Sequence, residues 1–201
     1  MRLMKSKSSQ MLARALSIIG HPAIVLPLVI TVRMVIAGPR PQLNWFIIGV
    51  SIFVAGTIVL YSWLEVRRGN WTHVDASNKT ERTKLNLILA AVLLGSAFGA
   101  TLLDQSPIIP LGLFISSLMP VFALLLSKYL KVSLHTSFTA FAAFLFWPSI
   151  LWVLVGFVLS LAIGWSRLVL GKHTFWEVLT GAVIGCAAGI VLLSGFHVLT
   201  V

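Results

Sequence analysis

Six long apolar runs, separated by short polar turns, set the plan of this chain. They lie at about Ser17 to Ala37, Leu43 to Leu64, Leu85 to Leu103, Ile108 to Ser127, Phe138 to Trp165 and Phe175 to Val198. A helix of roughly 18 or more apolar residues crosses a bilayer core, and these runs approach or exceed that length. They are continuous rather than alternating, which excludes the two-residue period of a membrane β-barrel. The expected fold is all-α: a polytopic transmembrane helical bundle of six to seven helices.

The count turns on the block Phe138 to Trp165, which is interrupted at Trp147-Pro148-Ser149. It makes either one long helix kinked at Pro148 or two short ones. Two helices of about 14 residues would each rise roughly 21 Å, short of the roughly 30 Å hydrocarbon core. Such helices suit a position inside the bundle. Pro22 and Pro27 fall within the first span, where neighbouring helices or water can satisfy the freed carbonyls. Gly38 to Gln42 and Asp104 to Pro107 read as turns. The last run contains Gly-Ala-Val-Ile-Gly-Cys-Ala-Ala-Gly, Gly181 to Gly189, whose small residues predict close helix packing.

Composition adds class and topology. Of 201 residues, 58% are hydrophobic and 10% charged, against roughly a quarter charged in soluble domains. No polar linker divides the chain, so a single membrane domain is expected, with 1–64 supplying two N-terminal helices and 65–201 carrying most of the ionisable loop residues. The net charge of +10 sits in loops and at the N-terminus, as the positive-inside rule predicts for a cytoplasmic N-terminus in a cell inner membrane. Arginine-rich and aromatic-stacking segments are missing, which argues against nucleic acid as partner. The basic start and following apolar run lack a small-residue cleavage site and read as a retained first helix. Cys186 stands alone among apolar residues and reads as a small buried hydrophobe. Trp45, Trp63, Trp71, Trp147 and Trp176 suit an aromatic belt at the interfaces.

The ionisable residues gather in three loops: Asp75 to Lys84, Lys128 to His135 and Arg167 to Glu177. Two helices separate the first loop from the second. If the block breaks at Pro148, two more separate the second from the third, and all three loops share one membrane face. Chemistry that needs all three favours the break. Lys79, Arg82, Lys84 and Arg167 are cations suited to a phosphate, arginine bidentately. His173 and Glu177 are spaced i, i+4, one turn apart if the last helix begins near His173. A carboxylate there holds one imidazole nitrogen and exposes the other as a nucleophile. His135 is a second imidazole at a helix mouth, suited to protonating a leaving oxygen. Arg67, Arg68, Lys128, Lys131 and Lys172 read as interfacial anchors, His21 as the mark of a helix start, and His73 and His197 as solvated or interfacial.

Ser166-Arg167, five residues, His173, three residues and Glu177 resemble the third signature of the type 2 phosphatidic acid phosphatase superfamily, which includes lipid phosphate phosphatases and vanadium haloperoxidases. Val132-Ser133-Leu134-His135 resembles its second signature, Pro-Ser-Gly-His, and Asn78 to Lys84 resembles a divergent first signature. The blocks keep the family's order across Asn78 to Gly181. Val132 and Leu134 replace proline and glycine, Glu177 replaces aspartate, Asp75 stands where the first signature has lysine, and no proline follows Arg82. The resemblance implies a metal-independent, cofactor-free hydrolase acting on a lipid phosphate. In it His173 forms a phosphohistidine, Glu177 orients His173, and His135 protonates the leaving group. Arg167, Arg82, Lys79 and Ser133 hold the phosphoryl oxygens.

Two other readings fit the same residues. His135, His173 and Glu177 would be ligands in a metal-dependent hydrolase, which needs three convergent donors. A non-catalytic membrane protein would use the cationic loops to bind or carry an anion, although such proteins commonly place their sites at broken midplane helices.

Overall fold

The computed structural model describes residues 7–37, 41–72, 76 and 78–200, with the side chains of 37, 41–44 and 196–200 outside the description. His73, Asp75 and the side chain of His197 therefore lie outside the described residues. The helices run α1 (Lys7–Ile19), α2 (Pro22–Ala37), α3 (Pro41–Arg67), α4 (Lys79–Leu102), α5 (Ile108–Leu125), α6 (Leu134–Phe144), α7 (Ile150–Val169) and α8 (Phe175–Thr200), with a 3-10 turn at Leu126–Lys128. No strand occurs among the described residues. Five helices, α3, α4, α5, α7 and α8, are each long and apolar enough to cross a membrane, and α1 with α2 forms one further bent candidate. The chain is an all-α integral membrane bundle, as the apolar runs predict.

The first span departs from expectation. Helix begins at Lys7 rather than near Ser17, and the chain bends by 65° between α1 and α2. The bend falls at Gly20 and His21, ahead of Pro22, which lacks the N–H that would continue α1. Gly20 lies so close to the Ile163 side chain of α7 that a Cβ there would overlap it.

The block after His135 forms two helices, unequal in length. α6 has 11 residues and α7 has 20, and they are separated by a break at Leu145 to Ser149 that carries a cis Trp147–Pro148 bond. At 1.5 Å per residue α6 rises only about 17 Å. It tolerates this because every residue from His135 to Ala143 is buried among the other helices. Arg33 of α2 closes its far end: Nε donates to the Leu145 carbonyl at 3.0 Å and Nη2 to that of Trp147 at 3.4 Å. The glycines of α8 seal one flank. At Gly181, Gly185 and Gly189, a Cβ would meet the Ser133 carbonyl, the Ser137 carbonyl and the Phe144 ring in turn. That stripe of three glycines at four-residue spacing lets α6 and α8 approach closely, and Ser137 Oγ donates to the Gly181 carbonyl at 2.8 Å.

The main core joins α3, α4, α5, α6 and α8 through Val54, Leu93, Ile115, Met119, Phe138, Phe141 and Leu192. Trp45, Trp63 and Trp176 are exposed, and the Arg67 guanidinium lies 4.0 Å over the Trp63 ring. Trp71 is a correction to the expected belt. It is buried, with its ring edge-on to Tyr61 at 5.5 Å, because the chain folds back over the end of α3 there: Asn70 and Trp71 both donate to the Glu65 carbonyl.

Candidate active site

A cavity of about 870 Å³ opens where α2, α4, α6 and α8 begin and α5 and α7 end. Its mouth is lined by Lys79, Arg82, His135, Arg167, Lys172 and His173, and its depth by Leu26, Val54, Leu93, Phe138, Phe141 and Leu145. The three ionisable loops therefore meet at one cavity, as the two-helix reading of the Pro148 block requires.

His173 reaches it through a tight reversal. Gly171 takes a left-handed conformation, φ +66°, which glycine adopts without steric penalty. The amides of Lys172 and His173 then fold back onto the Arg167 carbonyl at 3.0 and 3.4 Å. The last helix starts at Phe175, so His173 stands just outside it, and the expected histidine–glutamate pairing arises through a capping turn. Thr174 N–H donates to Glu177 Oε2 at 2.9 Å, and Glu177 N–H donates to Thr174 Oγ1 at 3.4 Å, the reciprocal bonds of a capping box. The same Oε2 lies 3.3 Å from His173 Nδ1. Glu177 Oε1 accepts the Lys131 amide at 3.3 Å, and the Lys131 carbonyl lies 3.0 Å from His173 Nδ1. One carboxylate thus ties the second loop to the third.

This arrangement settles the imidazole's tautomer by inference from its neighbours. Nδ1 faces a carbonyl and a carboxylate, both acceptors, so the proton sits on Nδ1 and Nε2 keeps its lone pair. Burial, then the charges of Arg167 and Lys131, outweigh Glu177 and hold the His173 pKa down at about 4. The ring is neutral at physiological pH, as a nitrogen nucleophile must be.

The remaining groups are placed by helix ends. His135 lies in the first turn of α6, buried, and lines the cavity. Arg167 lies in the last turn of α7, 4% exposed, with Nη1 donating to Ser17 Oγ at 2.7 Å. Arg82 and Lys79 ride on the first turn of α4, which is fixed by a capping box. Glu81 N–H donates to Asn78 Oδ1 at 2.9 Å, and Asn78 N–H to Glu81 Oε2 at 3.1 Å. The i, i+3 spacing puts Lys79 and Arg82 on one face, and both line the cavity, Lys79 exposed.

Ser133 is a correction. It is fully buried, its Oγ is 3.0 Å from Thr136 Oγ1, and it does not line the cavity. Close packing against Gly181 of α8 encloses it, and its amide donates to the Glu177 carbonyl at 3.1 Å. Its place is structural, at the start of α6. Glu177 also stands behind the cavity wall, as an orienting group does.

Three residues assigned elsewhere by sequence belong to the cavity. Lys131 and Lys172, expected as interfacial anchors, both line it, and Lys131 Nζ donates to the Lys172 carbonyl at 3.0 Å. His21 lines it too, with its ring edge-on to that of His135 at 5.0 Å. Their involvement follows from long-range packing and left no local signal. The two capping boxes did: Asn78-x-x-Glu81 and Thr174-x-x-Glu177 are readable in the sequence. Trp165 and Trp176 do not line the cavity. Among the described residues, no three of His, Cys, Asp and Glu converge as a metal site requires, His135, His173 and Glu177 included. No known protein family, curated protein or solved structure matches this chain.

Proposed function

We propose that this chain is a membrane lipid phosphate phosphatase that hydrolyses a phosphomonoester or diphosphate of a lipid through a phosphohistidine, in the manner of the type 2 phosphatidic acid phosphatase superfamily its motifs resemble. The observation that carries the reading is the clamp on His173. Glu177 Oε2 and the Lys131 carbonyl hold Nδ1 while the ring lines a cationic cavity mouth.

In this mechanism Nε2 attacks phosphorus, and the bond to the leaving oxygen breaks as the P–N bond forms. His135 gives its proton to that oxygen; a phosphate dianion at the mouth opposes the burial and the Arg167 charge that otherwise disfavour the protonated imidazole. Arg167 and Arg82 stabilise the charge on the non-bridging oxygens, and Lys79 adds a weaker, solvent-screened charge at the mouth. Water then attacks the phosphohistidine, His135 takes its proton, and His173 is released with inorganic phosphate. The apolar depth below the mouth suits a lipid tail. The basic bias of the chain supports a cytoplasmic N-terminus in a cell inner membrane.

The test is phosphate release by purified protein in detergent with excess EDTA, from phosphatidic acid, phosphatidylglycerophosphate and undecaprenyl diphosphate, beside His173→Ala. Release by wild type and loss in the variant is the expected result. Intact phosphate binding without release from any of the three would favour the anion-binding reading. Release only after metal addition would favour the metal-dependent one.

A further inference from the structure

The bend between α1 and α2 delivers two contacts to the site from outside the segment that carries the signature blocks. Ser17, in the last turn of α1, accepts Arg167 Nη1 at 2.7 Å. Four residues on, the His21 ring stands edge-on to His135, centroids 5.0 Å apart and planes at 89°. The bend itself is held in place. Gly20 packs against Ile163, one turn before Arg167 on α7, and α2 packs along α6, whose first turn carries His135.

Two contacts of the His21 side chain are separable. Its Nδ1 accepts the Ala23 amide at 3.2 Å, a helix-capping bond that fixes the start of α2. Its ring face or edge meets His135 inside the cavity. An edge-on aromatic pair has a preferred geometry and resists rotation of either ring. The other flank of α6 is closed by the glycine stripe of α8, so His21 supplies the contact on the cavity side.

We propose that His21 is a positioning residue of the site: its ring holds the His135 imidazole at the cavity mouth, and docking of the α1–α2 bend onto α7 completes the constellation. The inference rests on the phosphatase reading. It assigns the N-terminal helices a part in the chemistry, where the signature blocks begin only at Asn78.

Three variants separate positioning from helix capping. His21→Asn keeps a side-chain acceptor for the Ala23 amide and removes the ring. His21→Phe keeps a ring and removes the acceptor. His21→Ala removes both. The readouts are kcat and KM for phosphate release in EDTA, and the thermal midpoint in the same detergent. A displaced proton donor lowers turnover by about tenfold to a hundredfold, so His21→Asn and His21→Ala are expected to lose that much in kcat with KM little changed. His21→Phe is expected to restore most of kcat while melting lower than wild type. If His21→Asn keeps wild-type kcat, or His21→Phe fails like His21→Ala while folded, positioning by the ring is overturned and the histidine only caps α2. Wild-type release abolished by His173→Ala keeps the phosphatase reading standing in that case. Absence of any wild-type release overturns both.

Discussion

Glu177 Oε2 stands 3.3 Å from His173 Nδ1 and accepts the Thr174 amide at 2.9 Å, so one oxygen both starts α8 and orients the imidazole. Its companion Oε1 accepts the Lys131 amide. Glu177→Gln must therefore set an NH₂ group against one of two N–H donors, or turn it towards His173 and disturb the tautomer. A nucleophile–base pair that loses its orienting carboxylate drops by about 10²- to 10⁴-fold in kcat. Glu177→Gln should fall in that range in a steady-state phosphate assay. Glu177→Asp, which shortens the side chain and restores the charge, should recover part of it.

Under the proposed function, acid should silence phosphate release and destabilise the fold by the same proton. His173 titrates at about 4 in the folded chain and near 6.5 when unfolded. Between those values the unfolded state binds a proton that the folded state does not. Stability therefore rises with pH across that window and is flat above it. kcat/KM should be lost as pH falls through about 4, where His173 protonates. The melting temperature should decline from pH 7 to pH 5, and His173→Asn should remove part of that decline. A wild-type profile that stays flat to pH 3 would refute the neutral-nucleophile assignment.

Arg167 and Lys79 line the same cavity but differ in burial, which sets their expected weight. Arg167 is 4% exposed and bonded to Ser17; Lys79 is exposed. A lysine at 167 keeps the charge and loses the planar fork, so it cannot hold Ser17 and a phosphoryl oxygen together. Arg167→Lys should lose about 10- to 100-fold in kcat/KM, a cost of roughly 1.4 to 2.7 kcal/mol. Lys79→Ala should lose less than about threefold, as expected of a solvated charge. Parallel Michaelis–Menten measurements on the two variants decide the ranking.

Gly185→Ala should destabilise the fold. The added methyl would overlap the Ser137 carbonyl of α6, and overpacking of this kind costs typically about 1–3 kcal/mol. Gly95→Ala is the control, since nothing beyond the adjoining backbone of its own helix lies within 4 Å of its Cβ position. A lower melting temperature for Gly185→Ala alone, in the same detergent, is the expected outcome.

The apolar runs and their breaks determined where the helices lie, because membrane length and continuous hydrophobicity are local properties. The spacing of His173 and Glu177 announced that they meet, and the Thr174-x-x-Glu177 capping box brings the carboxylate back to the residue just outside α8. The small residues of Gly181 to Gly189 announced a close helix contact, and the structure supplies the partner, α6. What the sequence left undecided depends on which faces pack together. Ser133 keeps the spacing of a phosphate-binding serine, yet α8 encloses it, and its hydroxyl turns to Thr136. Lys131 reads as a surface charge, yet its backbone clamps His173 from 42 residues away. His21 reads as a helix start, yet the 65° bend beside it sets its ring against His135. Each of these outcomes follows from contacts between helices far apart in the chain, which only tertiary packing brings together.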